Sequence, residues 1–264
     1  MKKTIKSLRT MKAKGEKISA LTAYEALFAG YLDECDIDFI LVGDSAGMVF
    51  AGHDTTIPVT MDEMVYHTRS VRRSVKNTLL VADMPFMSYQ TSVEDALRNA
   101  GRLLKEGGAE AVKMEGGKRI IDRVEACIAA GIPVMGHLGM TPQSVNQFGG
   151  FKTQGKKSNE AENLKNDALA LEKAGVFSIV LEKIPAELAK EISEALEIPT
   201  IGIGAGLQTD GQILVTQDML GMYEKFKPKF VRLYAQLAGE IKDAIAEYSK
   251  DVKNSTFPNK DESF

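Results

Sequence analysis

Short apolar runs recur along this chain, and five of them stop at a polar residue able to do chemistry. They are FILVGDS (39–45), LLVADMP (79–85), AVKMEGG (111–117), IPVMGHLG (132–139) and SIVLEKIP (178–185). Such runs are the pattern of strands buried on both faces, as in parallel sheets. Between them lie helix-like stretches whose ends read LDECDID, LKEGGAE, IAAGI, EKAGVF and EALEI. Glycine at a helix C-terminus suits the left-handed conformation that ends a helix and opens a short turn into the next strand. Strand and helix alternating at this spacing predict βαβ units and a parallel sheet.

Eight strands are predicted, at about 18–22, 39–43, 79–83, 110–114, 133–137, 178–182, 199–203 and 212–216. That count predicts an α/β fold: one (β/α)8 TIM barrel over residues 1–264, with an N-terminal helix and C-terminal helices. The last strand segment, QILVTQDML, also reads as the opening of a helix. Ile5, Leu8 and Met11 share the inner face of the first helix. IPTIGIGAG (198–206) is a strand followed by a glycine-rich turn. It lacks the third glycine of G-x-G-x-x-G, so a tight turn is favoured over a phosphate grip. Residues 225–249 predict one or two helices, and STFPNKDESF a loose end. Two longer inserts follow strands 2 and 5: AGMVFAGHDTTIPVTMDEM and MTPQSVNQFGGFKTQGKKSNEAE. Both leave the end of a barrel at which substrates bind.

Composition changes this picture little. The 264 residues suit a barrel of about 250. A net charge of −3 gives no reason to expect nucleic acid. No apolar stretch approaches the ~20 residues of a membrane span. The basic start MKKTIKSLRTMKAKGEK has no apolar core segment and is not a secretory signal; a single Arg and the immediate strand ISALTAY disfavour a mitochondrial presequence. Cys35 and Cys127 have no metal-ligand spacing and fall in helix-like contexts, which predicts buried, reduced thiols and a cytoplasmic protein.

A parallel barrel gathers its strand-end residues into one pocket. Asp44 and Asp83 would supply the hard oxygens that Mg2+ prefers, and the alternative is that each caps the following helix. Lys113 and Glu115 lie two apart, so both face the barrel interior. Burial of that pair signals either a structural ion pair or a site in which Lys113 holds an anionic oxygen and Glu115 ligates or supports the metal. His137 is either a hydrogen-bonded strand-end histidine or an acid–base group. Glu182 ends an apolar strand across the barrel, where a partly apolar pocket makes a general base; a salt bridge to Lys183 is disfavoured because neighbouring strand residues face opposite sides. His53 and His67 carry no assigned role.

Longer strings at these positions resemble the ketopantoate hydroxymethyltransferase family. They are LTAYEALFAG, LVGDSAGMVFAGHDTTIPVTMDEMVYHTRSVRR, DMPFMSYQ, GAEAVKMEGG, GIPVMGHLGMTPQSVNQFGG and IGIGAGLQTDGQILV, in order from about Leu21 to Leu220, and the closing DESF also matches. The resemblance implies a (β/α)8 barrel, Mg2+, and 5,10-methylenetetrahydrofolate as cosubstrate. The implied reaction hydroxymethylates 3-methyl-2-oxobutanoate to 2-dehydropantoate through a Mg-stabilised enolate, in pantothenate synthesis, within a homodecamer. It implies that Asp44 and Asp83 ligate the metal and contact substrate together with Ser45. Lys113 then contacts substrate, Glu115 belongs to the metal site, Glu182 accepts the proton and His137 lines the pocket. Lys183 departs from the smaller or apolar residue expected there and should face away from the site.

Two other classes compete. One is a Mg2+-dependent lyase or mutase like the isocitrate lyase and phosphoenolpyruvate mutase group; its lyases carry a catalytic Cys in a loop after a strand, and neither Cys35 nor Cys127 is so placed. The other is a non-catalytic metabolite-binding barrel, which need not retain the base Glu182.

Overall fold

The computed structural model describes residues 2–225 and 227–264. They form two compact units, one ending at Val215 and one running Thr216–Phe264. In the first unit eight parallel strands close into a barrel in chain order. They are β1 Ile18–Thr22, β2 Phe39–Val42, β3 Leu79–Asp83, β4 Ala111–Glu115, β5 Val134–Gly139, β6 Ser178–Glu182, β7 Thr200–Ile203 and β8 Gly211–Leu214. These match the eight predicted segments to within a few residues. The ambiguous eighth is both things in turn: β8, then a short helix at Thr216–Met219.

The period of two in each strand divides the apolar residues between two cores. Phe39, Leu41, Leu79, Val81, Ala111, Met135, Val180, Ile201 and Ile213 belong to the cluster inside the barrel. Their neighbours Ile40, Val42, Leu80, Ala82, Val112, Met114, Ile179 and Leu181 pack outward into the helical layer. Continuing the inward positions along each strand leads to Asp83 on β3, Lys113 and Glu115 on β4, His137 on β5 and Glu182 on β6. These candidate site residues are therefore the last inward-facing positions of their strands, above Val, Leu and Met.

The opposite end of the barrel is closed by the N-terminal helix, Ile5–Lys14. Leu8 is fully buried in the interior cluster, with Ile5 and Met11 packed beside it, as the helical spacing predicted. Thr4 and Ser7 form a reciprocal capping box at its start, and Gly15 (φ 72°) ends it in the left-handed region that glycine adopts without strain. The predicted turn after β7 is also observed, with Gly204 and Gly206 at positive φ.

The second unit contains the helix Leu237–Lys253 and a short turn of helix at Lys260–Glu262. The predicted helical tail 225–249 is thus helical only from Leu237, and Phe226 lies outside the described residues. Gly221, with φ 64°, turns the chain so that Met219, Leu220 and Gly221 carbonyls accept the N–H groups of Tyr234, Leu237 and Ala238. One expectation fails: Cys35 is exposed, whereas Cys127 is buried. Cys35 follows directly on the last residue of the helix Ala26–Glu34, so it faces solvent rather than the helix packing face.

Candidate active site

Strand register sets the distances among the charged residues. Asp83 pairs with Lys113 across β3–β4, and Lys113 Nζ lies 2.7 Å from Asp83 Oδ1. Glu115 pairs with His137 across β4–β5, and His137 Nδ1 lies 3.2 Å from Glu115 Oε1. Glu182 pairs with Gly139, two residues beyond His137, and His137 Nε2 reaches Glu182 Oε2 at 3.2 Å. Gly139 has φ 95°, and a Cβ there would stand 2.2 Å from the Glu182 carbonyl oxygen, so only glycine allows β5 and β6 to approach here.

Asp44 lies two residues beyond the end of β2, and its backbone N–H donates to Asp83 Oδ2 at 3.0 Å. Ser45 follows it, with Oγ 2.8 Å from the Tyr24 hydroxyl. Six of the seven predicted site residues, Asp44, Asp83, Lys113, Glu115, His137 and Glu182, are joined in this network; Ser45 is adjacent through the chain. Lys183 pairs with none of them: its ammonium is hydrogen-bonded to the Phe151 carbonyl in the loop after β5, as expected of a residue facing away. His67 is a buried structural histidine whose Nδ1 lies 2.7 Å from the Tyr24 carbonyl oxygen.

Asp44, Asp83, Lys113, Glu115 and His137 are each at most 3% exposed. Burial raises the Asp44 pKa well above the usual range, and the charges of Asp83 and Glu115 raise it further. Asp83 is also raised by burial, although Lys113 pulls against the rise. Burial opposes charge on Lys113, but the carboxylates of Asp83, Glu115 and Asp44 outweigh it and hold the ammonium firmly charged. Burial likewise opposes charge on Glu115, and His137 and Lys113 overcome it, so that this carboxyl is lowered. His137 is disfavoured as a cation by burial and by Lys113, yet Glu115 and Glu182 raise its pKa. Lys113 Nζ is 3.1 Å from His137 Nδ1 and can donate to a neutral ring there, while Nε2 lies 3.2 Å from Glu182 Oε2.

The cluster therefore sets four carboxyl groups, of Asp44, Asp83, Glu115 and Glu182, against one ammonium and one imidazole, and all but Glu182 are buried. Three of its polar atoms, Asp83 Oδ1, Glu115 Oε1 and His137 Nε2, are buried without a well-directed hydrogen bond despite their charged neighbours. Among the described residues no three His, Cys, Asp or Glu side chains form a ready-made metal cage. A hard divalent ion needs less: Mg2+ is usually held by one or two carboxylates, with water and substrate completing the shell. Asp44 and Asp83, adjacent and mutually repelling, fit that demand, and a cation between them would relieve the repulsion.

Sequence reasoning missed two members of the site. Gln143, in the turn Pro142–Ser144, donates from Nε2 to Asp44 Oδ2 at 3.0 Å and from its backbone N–H to Glu115 Oε2 at 3.0 Å. Tyr89, buried after β3, accepts the Glu115 N–H at 2.9 Å. Both fall inside strings that carry the family resemblance, DMPFMSYQ and GIPVMGHLGMTPQSVNQFGG, in the segments that follow β3 and β5. The same loops line part of an open cleft of about 480 Å³, walled in part by Phe86, Tyr89, Glu115, Arg119, Arg123 and Gln143.

The sequence profile of the Ketopantoate hydroxymethyltransferase family matches residues 2–260. A Syntrophus aciditrophicus protein named 3-methyl-2-oxobutanoate hydroxymethyltransferase is 56% identical over 261 residues, covering 99% of this chain and 96% of that one. The protein of the same name from Clostridioides difficile is 55% identical over 264 residues, covering 100% and 96%. Among solved structures, a phosphonopyruvate hydrolase complexed with oxalate and Mg++ superposes with TM-score 0.64 at 15% identity, covering 99% of this chain and 93% of that one. A 2,3-dimethylmalate lyase of the PEP mutase/isocitrate lyase superfamily superposes with TM-score 0.62 at 16% identity, covering 100% and 92%. These structural likenesses show a shared barrel fold.

Proposed function

The chain belongs to the ketopantoate hydroxymethyltransferase family, and from that premise we propose how its strand-end residues carry out the reaction. It is an enzyme that hydroxymethylates 3-methyl-2-oxobutanoate, and this reading prevails over a lyase or mutase. The observation that carries the residue assignment is the convergence of Asp83, Lys113, Glu115, His137 and Glu182 in one interior layer beside Asp44.

In our reading Asp44 and Asp83 hold Mg2+, and Glu115 supports the site from its contacts with His137 and the Gln143 N–H. The ion, when bound, supplies Lewis-acid polarisation of the keto oxygen. Lys113 stabilises negative charge growing on the substrate oxygens, since its ammonium stays charged despite burial. Ser45, oriented by Tyr24, directs the substrate carboxylate. Glu182, 16% exposed at its side chain, takes the C3 proton. His137 Nε2 lies 3.2 Å from one oxygen of Glu182, and the other is the one that acts as base. The C3–H electron pair becomes the enolate. Water adds to the methylene carbon of 5,10-methylenetetrahydrofolate, both of its C–N bonds break to release tetrahydrofolate, and the one-carbon unit is left as formaldehyde. The enolate carbon attacks that carbonyl carbon, and the resulting alkoxide takes back the proton held on Glu182 to give 2-dehydropantoate.

The same reading puts the enzyme in the cytoplasm as a homodecamer; among the described residues no helix is long and apolar enough to cross a membrane. Exposed Leu27 and Tyr31 on the helix Ala26–Glu34, Tyr66 on the helix Met61–Arg72, and Phe50 in the segment between them support subunit contacts. Incubating the purified protein with the keto acid, Mg2+ and 5,10-methylenetetrahydrofolate should yield 2-dehydropantoate, detected by mass spectrometry. Consumption of the keto acid without that product, or no dependence on the folate, would overturn the donor assignment.

A further inference from the structure

Five polar groups, from two other loops and the last residue of β4, meet at the Gln143 side chain and backbone. The amide Nε2 donates to Asp44 Oδ2 at 3.0 Å and to the Met84 carbonyl at 2.8 Å. The amide Oε1 accepts from the Tyr89 hydroxyl at 2.9 Å and from Gln90 Nε2 at 2.9 Å. The backbone N–H donates to Glu115 Oε2 at 3.0 Å. Both amide protons and both lone pairs are used, which is the full capacity of the group. The amide can sit only one way round. A flip would set its oxygen against two acceptors and its nitrogen against the Gln90 amide.

One oxygen of each carboxylate is thus tied by a neutral N–H: Asp44 Oδ2 by the Gln143 amide, Asp83 Oδ2 by the Asp44 backbone, and Glu115 Oε2 by the Gln143 backbone. We propose that Gln143 is a positioning residue that fixes the rotation of the Asp44 carboxylate and so selects which of its oxygens meets the cation. A neutral donor suits this task. A cationic side chain would neutralise Asp44 and compete with the metal, and an acidic one would add charge to an already over-acidic cluster. Tyr89 acts through Gln143: its hydroxyl, held by the Glu115 N–H, turns the amide oxygen away from Asp44. Supporting hydrogen bonds of this kind typically change metal affinity about 10–100-fold when removed.

The inference rests on the reading that Asp44 and Asp83 hold the cation, and the test separates the two. Mn2+ is titrated into the purified full-length protein, without keto acid or folate, and free Mn2+ is followed by electron paramagnetic resonance. Gln143→Met, which keeps the length of the side chain but loses the amide, should weaken Mn2+ binding about 10–100-fold. Tyr89→Phe removes only the hydroxyl and should weaken it about fivefold, the worth of one neutral hydrogen bond. In the double variant Tyr89→Phe should add little, because it acts through an amide already gone. A purely structural role would lower the thermal midpoint and leave Mn2+ affinity intact, which would overturn the inference while wild-type binding upheld the metal site. A wild type that binds no Mn2+ would overturn both. Should Gln143→Met fail to fold, Tyr89→Phe carries the test, and unchanged affinity there refutes the inference.

Discussion

Replacing Lys113 by Met should destabilise the metal-free protein severely, and more so at neutral than at acid pH. Lys113 Nζ lies 2.7 Å from Asp83 Oδ1 and 3.9 Å from Glu115 Oε1, with both side chains buried. At an effective dielectric constant of ~20 those separations correspond to attractions of about 6 and about 4 kcal/mol. Burying the ammonium costs several kcal/mol, which the Met variant avoids, so the net loss should be about 3–5 kcal/mol. The ammonium's own raised pKa makes its contribution constant at neutral and acid pH; that contribution is lost only as pH rises through the folded-state value, above the ordinary lysine range. The pH dependence comes from Asp44 and Asp83, both already raised by burial, which would rise further without the cation. A carboxyl raised on folding binds a proton the unfolded chain has released, so folding is relatively favoured as pH falls and penalised as it rises. The deficit of Lys113→Met should therefore be largest near pH 8 and shrink toward about pH 5. Urea unfolding in EDTA, followed by circular dichroism at both pH values, measures it. A deficit below about 1 kcal/mol, the scale of a surface ion pair, or an equal deficit at both pH values would refute the reasoning.

Gly139→Ala should cost about 2–4 kcal/mol, because its Cβ would stand 2.2 Å from the Glu182 carbonyl and 2.7 Å from Ile184 Cγ2 at a φ of 95°. Urea midpoints and kcat on the folded fraction should show activity falling further than stability, since Glu182 is what the clash displaces. Asp83→Asn should weaken Mg2+ binding in calorimetry, and EDTA should abolish turnover until Mg2+ is restored; full activity in metal-free buffer would contradict the metal site. Ellman's reagent should titrate Cys35 alone in the native protein and both thiols only in denaturant, because burial pushes the Cys127 thiol up to about 11.

The barrel and the gathering of most candidate site residues were legible in the sequence from strand geometry. Strand ends of a parallel barrel share one pocket, which gathered Asp44, Asp83, His137 and Glu182, and a strand's period of two put Lys113 and Glu115 together on the interior face before any distance was known. Register, and hence the pairing of Asp83 with Lys113 and of Glu115 with His137, required the closed sheet. Gln143 and Tyr89 were not legible because they lie in irregular segments, where no periodicity relates position to direction. Their roles come from contacts with residues 99 and 26 positions away in the chain, Asp44 and Glu115. The helix end at Cys35 misled for a related reason: helical periodicity predicts a buried face within a helix and says little about the residue just past it.

Proton exchange at C3 of 3-methyl-2-oxobutanoate, followed by NMR in D2O with Mg2+ and no folate, isolates the step assigned to Glu182. Wild-type protein should wash out the C3 proton signal, because cation and base together suffice to form the enolate. Glu182→Gln keeps the shape and the His137 contact but removes the basic oxygen, so exchange should fall about 10²–10⁴-fold while keto-acid binding changes little. Undiminished exchange in Glu182→Gln would contradict the assignment and move the base to His137.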